Sequence, residues 1–292
     1  MTAQTRDTGS AESRDDSSAP DRAAVRVAII GVSGRMGRAL VREAAVIPGC
    51  RIVSAVASEA SAALGKDAGE LAGVGPNGIE VTADLPGALS SADVAVDFSS
   101  PQAADRNLEV CRSARKALLI GTTGLPTEFD RQVDEASREI PVLVAPNTSL
   151  GVTLLIELVK QAARALPEAF DIEIIEAHHR MKRDAPSGTA LALGRAAAEG
   201  RGRPFGDSRA AVRRGGEPRC AGEIGFAVVR AGDIVGEHTV LFAGSGESLT
   251  LAHRATDRGI FARGALEAAA WLAARAPGRY FMRDLVAYKS GS

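Results

Sequence analysis

Two adjacent histidines open the stretch His178-His-Arg-Met-Lys-Arg-Asp-Ala-Pro-Ser-Gly-Thr189, which also carries Arg180, Lys182 and Arg183. An imidazole titrates near neutrality and can give or take a proton, so a histidine here suits general acid or base work. The lysine and the arginines supply positive charge. Pro186 suits a first helical turn, and Ser187 and Thr189 suit its cap. Hydroxyls and free N–H groups at a helix N-terminus make a ready anion site. The combination points to a small substrate bearing carboxylates; the bland alternative is a solvated basic loop. No metal is expected, because no third ligand lies nearby and neighbouring side chains on a regular strand point to opposite faces. For the same reason, both histidines can face one substrate only if the strand has ended by His178.

A second chemical signal lies near the start. Val25-Arg-Val-Ala-Ile-Ile30 is a short β-branched run, apolar on both faces, which leads into Gly31-Val-Ser-Gly-Arg-Met-Gly37 and a helical stretch at 38–45. Glycine allows close backbone approach and positive φ. The helix N-terminus that follows favours a pyrophosphate. Strand, glycine turn and helix in this order suit a dinucleotide, although the spacing is G-x-x-G-x-x-G and not G-x-G-x-x-G. The next strand, 51–56, ends in Ala57-Ser-Glu59. An acidic residue at that point bonds the ribose hydroxyls in NAD-binding units. Glu59 is the nearest acid, and Ser58 can bond a hydroxyl or a 2′-phosphate, so NADH and NADPH both stay open.

The surrounding pattern supplies the frame. Strands at 93–98, 117–120 and 141–145 alternate with helices at 103–113 and 127–139. This predicts an α/β, Rossmann-like, doubly wound parallel sheet with ligands at the carboxyl ends of its strands. Gly31, Ser99, Gly121 and Asn147 all follow strand ends and should line one edge. There Gly121-Thr-Thr-Gly124 offers hydroxyls and amides beside a nicotinamide. A helix at 151–166 opens the second half. Asp171-Ile-Glu-Ile-Ile-Glu176 then alternates charged and apolar residues, the period of a sheet with one wet face. Further strands at 222–232, 236–244 and 246–256 predict a C-terminal α+β domain with a mostly antiparallel mixed sheet. Residues 201–219 are rich in Arg and Gly and read as a loop, its arginines either solvated or bordering the anion site. A helix at 260–275 places Trp271 on an apolar stripe.

Bulk properties narrow the class. A length of 292 residues allows two domains. A net charge of -1 argues against nucleic acid or an anionic membrane as partner. Three widely spaced cysteines disfavour a disulfide framework and suit a reducing, cytoplasmic setting. No apolar run approaches the ~20 residues that span a bilayer. Residues 1–24 are rich in Ser, Asp and Ala and are expected to form a disordered tail, not a signal or transit peptide.

Four segments together are recognisable. They are Gly31-Val-Ser-Gly-Arg-Met-Gly-Arg38, Gly121-Thr-Thr-Gly124, Glu176-Ala-His-His-Arg-Met-Lys-Arg-Asp-Ala-Pro-Ser-Gly-Thr-Ala190 and Arg230-Ala-Gly-Asp-Ile-Val-Gly-Glu-His238. In content and order the chain resembles the 4-hydroxy-tetrahydrodipicolinate (dihydrodipicolinate) reductase family of the diaminopimelate route to lysine, from about Val25 to the C-terminal helix. The resemblance implies NADH- or NADPH-dependent reduction of a small cyclic dicarboxylate with loss of water. It implies His178 and Lys182 as proton-transfer residues and His179, Gly188 and Thr189 as substrate ligands. It places the cofactor on Gly31, Val32, Ser33, Gly34, Arg35 and Met36, on Gly121, Thr122 and Thr123, and on Ala145, Pro146, Asn147 and Thr148. It further implies a homotetramer, with a nucleotide domain at 25–149 completed by a C-terminal helix at 259–292, and a substrate and tetramerisation domain at 150–258. Three positions depart from the family pattern. Ala57 and Ser58 replace its ribose-binding acid and the Arg that follows in some members, and Thr148 stands where Phe is common. A semialdehyde dehydrogenase on the same scaffold would need a nucleophilic cysteine, which neither Cys111 nor Cys220 suits. A non-catalytic NAD(P) sensor would not need the His, Lys and Ser-Gly-Thr cluster.

Overall fold

A computed structural model describes residues 24–207, 211–212, 219–220 and 222–291. The expected tail, apart from Ala24, and residues 208–210 and 213–218 of the expected loop lie outside the described residues.

The first half runs β1 (Val25–Ile30), α1 (Arg35–Ala44), β2 (Cys50–Val56), α2 (Ala68–Ala72), β3 (Val81–Thr82), α3 (Leu85–Ser90), β4 (Val94–Asp97), α4 (Pro101–Ser113), β5 (Ala117–Ile120), α5 (Phe129–Ala136) and β6 (Pro141–Val144). The second runs α6 (Leu150–Ala165), β7 (Asp171–His178), α7 (Gly188–Gly200), β8 (Ala211–Val212), β9 (Ile224–Arg230), β10 (Gly236–Ala243), β11 (Ser248–Ala255), α8 (Gly259–Leu272), β12 (Gly278–Tyr280) and α9 (Met282–Ser290).

Seven strands form one parallel sheet in the order β12-β6-β5-β4-β1-β2-β3. The double apolarity of β1 explains its central place. Val27 and Ile29 pack into a core with Leu40 of α1 and Leu266 of α8, while Ala28 and Ile30 pack with Leu89 of α3, Leu108 of α4 and Val133 of α5. Both faces of the sheet are therefore covered by helices. From β1 the chain winds to one side through β2 and β3, and from β4 to the other. The crevice above the carboxyl ends of β1 and β4 is the switch point at which such sheets bind ligands.

The second sheet is mixed, in the order β11-β10-β7-β9-β8. Antiparallel pairing joins β11 to β10 and β10 to β7, while β9 lies parallel to both β7 and β8. Thus β7 sits between β9 and β10, although those two are neighbours in sequence. Its inner face carries Ile172, Ile174, Phe226, Val240 and Phe242, packed against Leu155 and Val159 of α6 and Leu193 and Ala197 of α7.

Two helices depart most from their expected spans, and the expected loop at 201–219 contains β8, which pairs in parallel with β9. The helix expected at 127–139 is the shorter α5, whose N-cap Glu128 makes no side-chain cap. The helix expected at 259–292 is broken into α8, β12 and α9. Pro277 and Gly278 stop the helix, and Gly278–Tyr280 then pairs in parallel with β6. Trp271, expected to pack within the core, is half-buried against it, with its ring edge-on to Tyr280 at 5.3 Å between centroids.

Candidate active site

The period of β7 sets up the site. Alternate residues turn inward, so Ile172, Ile174, Glu176 and His178 share one face. The last two place polar groups where the strand leaves the apolar core. Glu176 is fully buried and His178 is 8% exposed. Pairing brings in the neighbours: His178 stands opposite Arg230 on β9, and Glu176 opposite His238 on β10.

The Glu176 carboxylate accepts from four donors: His178 Nδ1 at 2.6 Å, the Ser187 N–H at 3.0 Å, and Arg230 Nη1 and Nη2 at 2.8 Å each. Burial pushes this carboxyl up, but the Arg230 guanidinium, His178 and the Ser187 N–H outweigh it and hold the group below its usual range. An ionised carboxylate only accepts, so His178 carries its proton on Nδ1. Burial is the largest influence on the His178 ring and lowers its pKa, against the opposing pull of Glu176. The ring is therefore neutral at neutral pH, and its Nε2 is free to accept a proton. That nitrogen faces Gly236, where a Cβ would lie 3.1 Å away. His238 packs edge-on against His178 at 5.1 Å and shares a 3.0 Å hydrogen bond with the Ser187 hydroxyl. Burial and then the proximity of His178 depress its pKa to about 4.

β7 ends at His178, and the half-buried His179 is the first residue beyond it. The condition for both histidines to face one substrate is thereby met. The chain then turns back: the Lys182 N–H donates to the His179 carbonyl at 3.0 Å, and Lys182 Nζ lies 2.8 Å from Asp184 Oδ2. Arg230 Nη2 donates to the Asp184 carbonyl at 2.6 Å and anchors the far side of the loop. Ser187 caps α7 by accepting from the Ala190 N–H. The N–H groups of Gly188 and Thr189, in the first turn of α7, have no intrahelical acceptor. A Cβ on Gly188 would meet no protein atom within 4 Å.

The nucleotide edge is continuous with this cluster. Gly31 has φ of +84°, and a Cβ there would lie 2.7 Å from the Phe98 carbonyl oxygen. A Cβ on Gly37 would lie 2.3 Å from the Gly31 oxygen, and one on Gly121 would strike the Phe98 ring. Gly34, the N-cap of α1, offers no side-chain cap, which leaves the first-turn amides to another acceptor. These features fit a pyrophosphate. Buried Asp97 holds the neighbouring turn, accepting from the Ser99 N–H at 2.7 Å and from Asn107 Nδ2 at 2.8 Å. Thr122 is buried and its hydroxyl faces the Asp97 carbonyl at 3.4 Å, while Thr123 is exposed. Ala145 pairs with Ile120, and Asn147 Nδ2 donates to Thr189 Oγ1 at 3.1 Å. The Thr148 hydroxyl donates to the Phe261 carbonyl at 2.6 Å, turned into the protein. Ser58 and Glu59 are exposed beyond the end of β2.

Neither buried cysteine suits a cysteine-based route. Cys111 is buried within α4 and burial pushes its thiol up, as burial pushes Cys50 to about 11. A reactive cysteine needs the opposite shift.

The family models for dihydrodipicolinate reductase match end to end, the N-terminal one over residues 25–148 and the C-terminal one over 151–286. The chain belongs to the dihydrodipicolinate reductase family. A 4-hydroxy-tetrahydrodipicolinate reductase from Alkalilimnicola ehrlichii is 51% identical over 263 residues, 89% of this chain and 98% of the relative. One from Anaeromyxobacter dehalogenans is 48% identical over 268 residues, 91% and 99% of the two chains. Among solved structures, a dipicolinate-bound dihydrodipicolinate reductase from Paenisporosarcina sp. TG-14 superposes with a TM-score of 0.70 at 25% identity, covering 89% of this chain and 98% of that one. As a dihydrodipicolinate reductase family member, the chain is an NAD(P)H-dependent oxidoreductase of lysine biosynthesis.

Three residues of the cluster carry no assigned role in the sequence reading: Glu176, Arg230 and His238. Period 2 along β7 could have paired Glu176 with His178. Arg230 and His238 arrive through the sheet order, which pattern alone does not supply.

Proposed function

We propose that this chain reduces 4-hydroxy-tetrahydrodipicolinate to tetrahydrodipicolinate, with loss of water, in the crevice between the Gly31, Gly121 and Asn147 turns and the 178–189 loop. The observation that carries this reading is the Asn147–Thr189 hydrogen bond, which puts the nicotinamide segment beside the anion segment. The bound nicotinamide supplies the hydride. Gly31, Val32, Ser33, Gly34, Arg35 and Met36 hold the pyrophosphate. Gly121, Thr122, Thr123, Ala145, Pro146 and Asn147 line the nicotinamide end, with Thr148 contributing backbone only. The cofactor is NADH or NADPH, and the exposed Ser58 and Glu59 at the end of β2 do not select between them.

The substrate is a small cyclic dicarboxylate, the class to which the dipicolinate of the related structure belongs. One carboxylate sits on the Gly188 and Thr189 N–H groups and the Thr189 hydroxyl, with His179 alongside. Hydride arrival leaves an electron pair on the substrate that needs a proton. The Lys182 ammonium, held by Asp184, is a standing donor. His178 is neutral, and its Nε2 is free to accept and relay a proton. General acid catalysis contributes roughly 10²–10⁴-fold. Lys182→Ala and His178→Ala should each lose turnover within that range while NADPH binding, followed by fluorescence, persists. Near-wild-type turnover in both variants removes the pair from the mechanism.

The same reading makes the enzyme a cytoplasmic homotetramer. No helix among the described residues is long and apolar enough to cross a membrane, and all three cysteines are free. The outer face of the second sheet, opposite α6 and α7, exposes Ile175 at 40% and Val229 at 43%, an apolar surface suited to another copy. The domains divide as 25–149 with 259–292, and 150–258; packing of α8 on the parallel sheet and pairing of β12 with β6 support that division.

A further inference from the structure

Asn147 occupies the crossover from the parallel sheet to α6, and its amide is oriented by its surroundings. Its Oδ1 accepts from the Ser149 N–H at 2.9 Å, closing a local turn. A backbone N–H can only donate, so that bond fixes which end of the amide is oxygen. The Nδ2 group then faces Thr189 Oγ1 at 3.1 Å, across 42 residues of chain. Nδ2 is a donor only, so Thr189 Oγ1 must accept. One lone pair of the hydroxyl is thereby occupied, and its O–H is left to donate.

We infer that Asn147 is a positioning residue: it reserves the Thr189 hydroxyl as a hydrogen-bond donor for the substrate carboxylate, and so ties the seating of that carboxylate to the nicotinamide-side turn. This rests on the assignment of Thr189 to the anion site. An unrestrained threonine hydroxyl rotates among several acceptors, including its own helix carbonyls. Held by Asn147, it is prealigned toward an acceptor-only ligand and loses less orientational freedom on binding.

The test uses Asn147→Ser, which keeps a side-chain oxygen for the Ser149 N–H, adds no charge and is too short to reach Thr189. Dipicolinate binding is measured by calorimetry in the NADPH-saturated enzyme, in wild-type and Thr189→Val backgrounds, with melting temperatures recorded for each. A hydrogen bond to a charged group is worth enough that Thr189→Val alone should weaken dipicolinate on the order of tenfold. Asn147→Ser should weaken it about fivefold when Thr189 is present and leave it unchanged when Val stands there, because coupled residues are not additive. The Michaelis constant should rise by a larger factor than kcat falls, and the melting temperature should hold. Wild-type affinity in Asn147→Ser, or an equal loss in both backgrounds, overturns the inference while leaving the anion site in place. An unchanged affinity in Thr189→Val removes Thr189 from the site, and the inference falls with that assignment.

Discussion

The Glu176 carboxylate has no exposure to solvent and accepts four hydrogen bonds, two of them from one guanidinium. A buried anion is tolerated only with compensation of that kind. The arrangement decides the state of its neighbour: Glu176 fixes the His178 proton on Nδ1 and leaves Nε2 free, while burial, against the pull of Glu176, keeps the ring neutral. It also leaves a signature in stability. His238 titrates near 4 in the folded chain, against an ordinary 6.5. Between those values the unfolded chain binds the extra proton, so stability rises with pH through this window and is lost as pH falls. The loss attributable to His238 between about pH 7 and about pH 5 is on the order of 2 kcal/mol. His178, also lowered, acts in the same direction. Urea titrations at the two pH values should show the drop in wild type and a smaller one in His238→Gln. A drop of the same size in the variant would contradict the assignment.

At the level of elements, legibility followed the range of the interactions. The turn at Gly31–Gly37 was readable because it depends on local facts: a doubly apolar strand, glycines, and a helix without a side-chain cap. The 178–189 segment was readable for the same reason, since the end of β7, the turn at Lys182 and the Ser187 cap follow one another in sequence. Arg230 and His238 belong to a recognisable segment, but their spacing assigns them no role. Their position follows from β7 lying between β9 and β10, a pairing set by distant strands. The short strand β12 was missed because three half-exposed residues, Gly278–Tyr280, carry no period. Its edge place on the sheet comes from pairing with β6. Thr148 stands where Phe is common in the family, and its hydroxyl bonds the Phe261 carbonyl on α8, a partner distant in sequence.

At the scale of the molecule, the turn after β6 meets the start of α7 through the Asn147–Thr189 contact, while the second sheet has an outer face opposite α6 and α7. Ile175 and Ala177 of β7 are in register there with Ala227 and Val229 of β9. Placing charge on both flanks, in Ile175→Glu with Val229→Glu, should convert the proposed tetramer into smaller species by sedimentation velocity. An unchanged sedimentation coefficient would move the interface elsewhere. The claim that matters most is the reaction itself. Freshly generated product of dihydrodipicolinate synthase, mixed with the enzyme and NADPH or NADH, should consume the reduced nicotinamide, as followed by its absorbance. Consumption should depend on that substrate and fall by about 10²–10⁴-fold in Lys182→Ala. No substrate-dependent loss of absorbance with either cofactor, from a folded enzyme that binds them, would contradict the account.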